Sequence, residues 1–226
     1  MNAILDNPIY HALTTNHLLF SKGDENIKYY HREVASFAGM KTYTEADFLK
    51  LCEQLPDNGV FIVFSPQTLT IPKPWKLAAE IDMFQFVYEH NFAPQQQLEI
   101  TLEDLNKEHV EEMIALVELT KPGPFLSKTI DLSNYTGVFE NGRLAAMAGH
   151  RFHLGNHIEV SAVCTHPDFL GKGYAYAVIK EQVKRILAKS QIPFLHVRQD
   201  NLGAVKLYEK LGFTIRTKMQ AYVLTK

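Results

Sequence analysis

Cysteine, excess positive charge and long apolar runs are all scarce in this chain of 226 residues. Its two cysteines, Cys52 and Cys164, lie in periodic apolar segments, so they form neither a disulfide framework nor a zinc-ligand pattern. The formal net charge of −2 gives no reason to expect a nucleic acid or a membrane surface as a partner. No apolar run approaches about 18 residues, and the N-terminus lacks a basic segment followed by an apolar one, so we expect neither a membrane span nor a signal peptide. A cytoplasmic location is the default expectation.

What the chain does contain is a glycine loop between a predicted strand and a predicted helix. The strand, residues 157–165, ends at His166-Pro167, and the sequence Leu-Gly-Lys-Gly-Tyr-Ala at 170–175 leads into an amphipathic helix. Glycines allow the backbone to turn sharply and to approach a ligand closely. The first turn of a helix presents unpaired N–H groups and the positive end of the helix dipole. The pattern therefore predicts a phosphate-binding loop.

A second motif follows the predicted helix. A short strand is predicted over 194–198, and Asn201 is a favourable N-cap for another helix that ends at Gly212. Upstream, the pattern predicts a strand from Leu98, a helix and a hairpin around Asn141-Gly142. Strands and helices in this order indicate an α/β or α+β fold.

These two motifs resemble the acyl-CoA-binding half of a GNAT-superfamily N-acetyltransferase. The family's loop reads Gln/Arg-x-x-Gly-x-Gly/Ala, and Gly173 and Ala175 fit its small positions, whereas Leu170 stands where the family has Gln or Arg. That difference affects one side-chain contact, since the family's loop holds the CoA pyrophosphate largely through backbone N–H groups. The second motif is Leu-Tyr-Glu-Lys-Leu-Gly-Phe at 207–213, and the resemblance extends upstream to about Leu98.

The resemblance implies a fold, a co-substrate and a set of contacts. It implies a mixed, mostly antiparallel central sheet flanked by helices, with a smaller N-terminal α/β domain. It also implies acetyl-CoA as the acyl donor, with no metal. The residues expected to contact the donor are Val163, Cys164, Thr165, Leu170, Gly171, Lys172, Gly173, Tyr174, Ala175 and Asn201.

The chain is expected to divide near residue 95. The segment 90–97 is polar, contains a proline and lacks periodicity, which is typical of a linker. We therefore predict a small α/β domain over 1–95 and an acetyltransferase-like domain over 96–226. The first of these is either a degenerate relative of the second or an unrelated cap or dimerisation module.

Two residues are predicted to be catalytic. Strand alternation puts Glu159 on the same face as Val163 and Thr165, where the resemblance places the thioester, so Glu159 is the candidate general base, directly or through water. The alternative is an exposed or salt-bridged carboxylate. In the family, a tyrosine at the position of Tyr208 often lies beside the CoA sulfur, so Tyr208 is the candidate proton donor to the departing thiolate. The alternative is a buried aromatic residue.

The acceptor site is predicted at an irregular loop. Relatives form their acceptor pocket from the region of Lys121 to Leu126, so Phe125 and Tyr135 are the candidate substrate-binding residues. His150 and His153 are three residues apart on a predicted strand, which puts them on opposite faces and argues against a metal site.

Three functions remain open on this sequence. The first is transfer of acetyl from acetyl-CoA to the primary amine of a small molecule or a peptide, by direct attack. The second is an acyl-CoA:amino-acid N-acyltransferase with a bulkier acyl group. The third is a non-catalytic CoA-binding sensor, which Glu159 and Tyr208 together disfavour. The sequence leaves a homodimer open as the state of assembly.

Overall fold

The computed structural model describes residues 3–56, 59–95, 99–132 and 134–226. Within these ranges the helices are Pro8–Thr14 (α1), Glu45–Gln54 (α2), Val110–Thr120 (α3), Tyr174–Leu187 (α4) and Leu202–Leu211 (α5). The strands are Ser21–Gly23 (β1), Ile27–Tyr30 (β2), Ala38–Met40 (β3), Phe61–Ser65 (β4), Lys76–Val87 (β5), Glu103–Leu105 (β6), Tyr135–Glu140 (β7), Arg143–Leu154 (β8), His157–Thr165 (β9), Ile192–Arg198 (β10) and Thr214–Thr225 (β11). None of these helices is long and apolar enough to cross a membrane.

One eight-stranded sheet organises the molecule. Its strand order is β4-β11-β5-β10-β9-β8-β7-β6, and β1, β2 and β3 form a separate small sheet. In the described part of the large sheet, β9 and β10 pair in parallel, whereas the other neighbouring strands pair antiparallel. The predicted fold class, a mixed and mostly antiparallel sheet flanked by helices, is confirmed.

Strands from both predicted domains lie in this sheet. β5 precedes residue 95, yet it pairs with β10 on one side and with β11 on the other. β4 pairs with β11 at the edge of the sheet. The division at residue 95 stays a prediction, but it does not coincide with a division of the sheet. The part of the N-terminal region with a sheet of its own is the three strands β1 to β3.

Local chemistry sets the ends of the helices. At the start of α5 the Asn201 side chain accepts a hydrogen bond from the N–H of Ala204 at 3.1 Å, and Gly212 ends the helix with a φ of 101°. At the start of α2 the side chains of Thr44 and Asp47 form a capping box. Each cap satisfies N–H groups or carbonyls that the helix itself leaves unpaired.

The two faces of the sheet have different partners. Helices α4 and α5 cover one face, where Ile158, Val160, Leu195 and Phe86 pack with Ile179 and Leu211 in one apolar cluster. Helix α1 covers part of the other face, where Leu13, Phe152 and Phe194 share a second cluster. Helix α3 covers a further part of that face beside Met147 and Cys164.

A β-bulge in β9 exchanges the two faces of that strand. The pairing with β8 shifts between Ser161 and Cys164, and Ala162 has a φ of 51°, in the left-handed region. Before the bulge, Val160 packs beside α4 and α5; after it, Val163 does, while Cys164 packs beside α3. The prediction that Glu159 shares a face with Val163 and Thr165 is therefore wrong, because the extra residue reverses the alternation.

Candidate active site

The backbone of the glycine loop leaves room for a ligand to come close to the start of α4. Gly171 and Gly173 have φ values of 78° and 80°, and Gly173 is the N-cap of the helix. Such values are costly for residues that carry a Cβ. A Cβ built on Gly171 would meet no other atom within 4 Å. The backbone of the loop thus borders open space at the positive end of a helix.

A cavity of about 300 Å³ lies in front of this loop, and we call it the loop cavity. It is lined by Thr165, Phe169, Leu170, Gly171, Gly173, Tyr174, Ala175, Tyr176, Leu207 and Lys210. The Thr165 hydroxyl is buried without a hydrogen-bond partner among the described residues. An orphaned hydroxyl and a glycine facing open space both fit a ligand that brings hydrogen-bonding groups, as the pyrophosphate and pantetheine of CoA do.

The predicted donor contacts separate into three groups. Thr165, Leu170, Gly171, Gly173, Tyr174 and Ala175 line the loop cavity. The side chain of Lys172 turns away to Glu140, at 2.5 Å, and the Tyr174 hydroxyl donates to the same carboxylate. Val163, Cys164 and Asn201 do not line this cavity. The structure adds Lys210 to the residues that line the cavity, with its ammonium 5.6 Å from the Tyr176 ring centre. The sequence could have indicated Lys210 through its position in the second motif, 207–213.

Strands β9 and β10 part beside this cavity. Their parallel pairing covers His157 to Glu159 against Ile192 to Phe194, and beyond it both strands continue, to Thr165 and Arg198. The gap leaves unshared strand edges, which can hydrogen-bond an extended ligand. Tyr208 on α5 packs against Phe86 and Phe213 next to this region. Burial raises the pKa of the Tyr208 phenol, so it stays protonated at neutral pH.

Glu159 lies on the opposite face, completely buried, in a strong ion pair. Arg151 donates from Nε to Oε2 at 2.8 Å and from Nη2 to Oε1 at 2.6 Å. The ring Nδ1 of His196 is 2.6 Å from the same Oε1. Burial alone would raise the pKa of Glu159, but the Arg151 guanidinium and the His196 hydrogen bond outweigh it and lower that pKa to about 2. A carboxylate of this pKa is a weak general base, since the best bases titrate near the working pH.

A row of polar side chains extends this pair across the sheet. Gln85 accepts from the Arg216 guanidinium, so its amide nitrogen is the group that faces His196, 2.9 Å from the ring Nε2. An amide nitrogen only donates, which makes Nε2 the acceptor and Nδ1–H the donor to Glu159. Arg216 also donates to Asp6. Sequence patterns could not show this row, because its members come from five adjacent strands.

The predicted acceptor residues meet at a small pocket beside the bulge, which we call the bulge pocket. Phe125 and Tyr135 stack edge to face with ring centres 5.5 Å apart. Both line the pocket together with Val117, Pro122, Gly123, Pro124, Thr129, Arg151, Ser161 and Ala162. Its volume is about 10 Å³, roughly the room that one water molecule needs.

Three histidines cluster away from these pockets. The ring centres of His150 and His153 are 5.6 Å apart, and those of His17 and His153 are 5.0 Å apart. The prediction of opposite faces for His150 and His153 is wrong, because a register shift in β8 falls between them. Burial lowers the pKa of His17 and His150 to about 3 and that of His153 to about 4. Among the described residues, no group of three or more His, Cys, Asp or Glu side chains has the geometry of a metal site.

Known proteins share this architecture. The family model described as FR47-like protein matches residues 135–223. A solved structure from Novosphingobium aromaticivorans, assigned to the GNAT family of acetyltransferases, is 29% identical with a TM-score of 0.91 over 98% of each chain. A GCN5-related N-acetyltransferase from Kribbella flavida is 12% identical, with a TM-score of 0.59 over 94% of this chain and 95% of its own, and so shares the fold alone.

Curated relatives match a shorter region. Acetyltransferases from Pectobacterium atrosepticum and Yersinia enterocolitica are 35% identical over 77 and 71 residues, which are 32% and 30% of this chain. The chain spans about half the length of these relatives, 52% and 48%. A glycine loop at the start of α4, beside the separation of β9 and β10, lies in the architecture that the chain shares with the GNAT acetyltransferase structure. The chain shares its fold over nearly its full length with this GNAT-family acetyltransferase structure, and its C-terminal half matches the FR47-like family model.

Proposed function

We propose that this protein transfers the acetyl group of acetyl-CoA to the primary amine of a small molecule or a peptide. The observation that carries the proposal is that three features lie next to one another: the loop cavity, the gap between β9 and β10, and Tyr208 beside that gap. The loop backbone and the start of α4 bind the pyrophosphate, and Lys210 supplies a nearby cation. The edges of the gap hold the extended arm that carries the thioester.

The reaction is a direct attack of the amine on the thioester carbonyl. A C–N bond forms, the C–S bond breaks, and the amine loses one proton while the sulfur leaves as a thiolate or gains a proton. N–H groups of β9 near the bulge stabilise the developing oxyanion. The Tyr208 phenol, protonated at neutral pH, donates a proton or a hydrogen bond to the departing sulfur.

Glu159 takes a more indirect part than strand alternation suggested. Arg151 and His196 already bond both of its carboxylate oxygens. We therefore assign the acceptance of the amine proton to water, and we assign to Glu159 the positioning of Arg151 and His196.

The test has two stages on one preparation of the full chain. Calorimetry with acetyl-CoA measures binding, and release of free thiol with a panel of amines measures transfer, using acetyl-, butyryl- and octanoyl-CoA as donors. We expect saturable binding of acetyl-CoA and transfer that falls as the acyl chain lengthens. Binding without thiol release for any amine would indicate a CoA sensor. Faster transfer from octanoyl-CoA would favour the acyltransferase with a bulky donor.

A further inference from the structure

The bulge pocket carries one charge, and it is positive. Arg151 is the charged side chain among the described residues that line it. The Nε and Nη2 groups of this arginine donate hydrogen bonds to Glu159, which is completely buried and does not line the pocket. Nη1 faces the pocket, because a Cβ built on Gly123 would lie 4.0 Å from it. The two hydrogen bonds to Glu159 use Nε and Nη2 and leave Nη1 outside the ion pair.

Arg151 is also held rigidly. Its guanidinium carbon lies 4.7 Å from the ring centre of Phe152 and 4.9 Å from that of Phe37. Its side chain is 13% exposed. A guanidinium fixed by a carboxylate and by aromatic rings loses little entropy when it binds a further group, so its remaining N–H groups form an oriented donor.

The position of Arg151 relative to the bulge sets the size of the ligand. The pairing of β8 with β9 places Gly149 opposite Ser161 and His150 opposite Val160. Arg151 is thus within about two residues of the bulge, where transfer is proposed. Ser161 lines the same pocket, and its hydroxyl is a second possible donor. A ligand that reaches both places must carry its amine and its acceptor oxygen only a few bonds apart.

We propose that the acceptor is a small amino acid whose free carboxylate binds Nη1 of Arg151 and the hydroxyl of Ser161. This inference rests on the proposed acetyl transfer and names the acceptor class. Cationic donors prefer a carboxylate over a neutral carbonyl. The pocket has room for about one water-sized group between the apolar walls of Pro122, Pro124 and Phe125, so only the carboxylate of the amino acid enters it. Because Glu159 offsets most of the charge of Arg151, the preference comes from a directed hydrogen bond rather than from a net field.

The experiment compares matched acceptors on the full chain. Glycine and alanine are each measured against glycinamide and alaninamide, with ethylamine as an acceptor that has neither group, and thiol release gives kcat/KM. The amine of an amide is less basic, so more of it is neutral at a given pH and intrinsic reactivity favours the amide. We expect the acids to be at least about tenfold better despite this, the loss typical of an unmade charged hydrogen bond.

A double variant tests the residue. Arg151→Gln combined with Glu159→Gln removes both charges together, which avoids leaving one buried charge unpaired. We expect it to lose the preference for acid over amide while retaining acetyl-CoA affinity. Arg185→Gln, a charge removal on the outer face of α4, is the control and should keep the preference. If the double variant fails to fold, the comparison on the unmodified chain decides alone.

The outcomes separate the two proposals. Equal rates for acids and amides within about twofold would overturn the amino-acid acceptor. A preference that survives in the double variant would overturn the binding of its carboxylate by Arg151. Either result leaves acetyl transfer standing. Bound acetyl-CoA with no thiol release for any acceptor would overturn acetyl transfer and this inference with it.

Discussion

Replacing Gly171 by alanine separates ligand binding from folding at the glycine loop. The added Cβ meets no protein atom within 4 Å, so the cost to the fold is the strain of alanine at a φ of 78°. That strain is about 1–2 kcal/mol, which lowers Tm by roughly 2–8 °C for a chain of this size. The same methyl group enters the space that we assign to the pyrophosphate. Displacing a phosphate from backbone N–H groups costs about 1–3 kcal/mol, or roughly 5- to 150-fold in Kd.

Gly142 provides a matched control for this substitution. It has a φ of 74° in the turn between β7 and β8, and a Cβ there also meets nothing within 4 Å. Gly142→Ala should therefore lower Tm by a similar amount while acetyl-CoA affinity stays within about twofold. Calorimetry and thermal denaturation on both variants give the two numbers. Unchanged affinity in Gly171→Ala, or an equal loss in both variants, would refute the assignment of the loop.

Three further predictions concern buried side chains in the sheet or packed against it. Tyr208→Phe keeps the packing against Phe86, so we expect near-normal stability and acetyl-CoA affinity with a lower kcat; an unchanged kcat would remove the phenol from the mechanism. Glu159→Gln leaves the Arg151 guanidinium buried without its anion, so urea denaturation should show a free energy of unfolding lower by about 3–5 kcal/mol. The double variant Arg151→Gln with Glu159→Gln should regain part of this loss, and strictly additive losses would contradict the pairing. Because burial lowers the pKa of His150 to about 3 from an ordinary 6.5, the folded state resists its protonation, and stability should fall as pH drops from about 6.5 towards 3, by up to about 1.4 kcal/mol per pH unit. His150→Leu should reduce that slope, although His17 and His153 still contribute to it, and His31→Gln, at an exposed histidine, should not. Equal slopes in both variants would exclude the His150 ring as a source.

Local signals predicted the parts of the fold that depend on short segments. The strand 157–165 matches β9, and Asn201 and Gly212 begin and end α5 as their side-chain and backbone preferences require. Each of these features is decided by a few consecutive residues. The glycine loop lies between β9 and α4 for the same reason, since Gly171 and Gly173 adopt the positive φ values that only glycine accepts cheaply; phosphate binding there stays a prediction.

The remaining features depend on register, which one sequence does not reveal. Ala162 adopts a left-handed φ in β9 although it is not glycine, so no local signal marks the bulge. That one residue moved Glu159 to the opposite face from Val163. The partners of Glu159 were equally hidden, because Arg151 and His196 come from two other strands and only the pairing of β8, β9 and β10 brings them together.

The central place of β5 has a consequence for how the chain is assembled. Gln85 and its partner His196 are 111 residues apart, so the strand is synthesised long before either of its neighbours exists. Before β10 and β11 are synthesised, β5 lacks both of its partners in this sheet. Closing the long loops between these strands slows folding. A polypeptide that starts after residue 95 would present β10 and β11 to solvent with a missing strand between them. Such a fragment would recruit a replacement strand, either from a separately supplied N-terminal piece or from a second copy of itself.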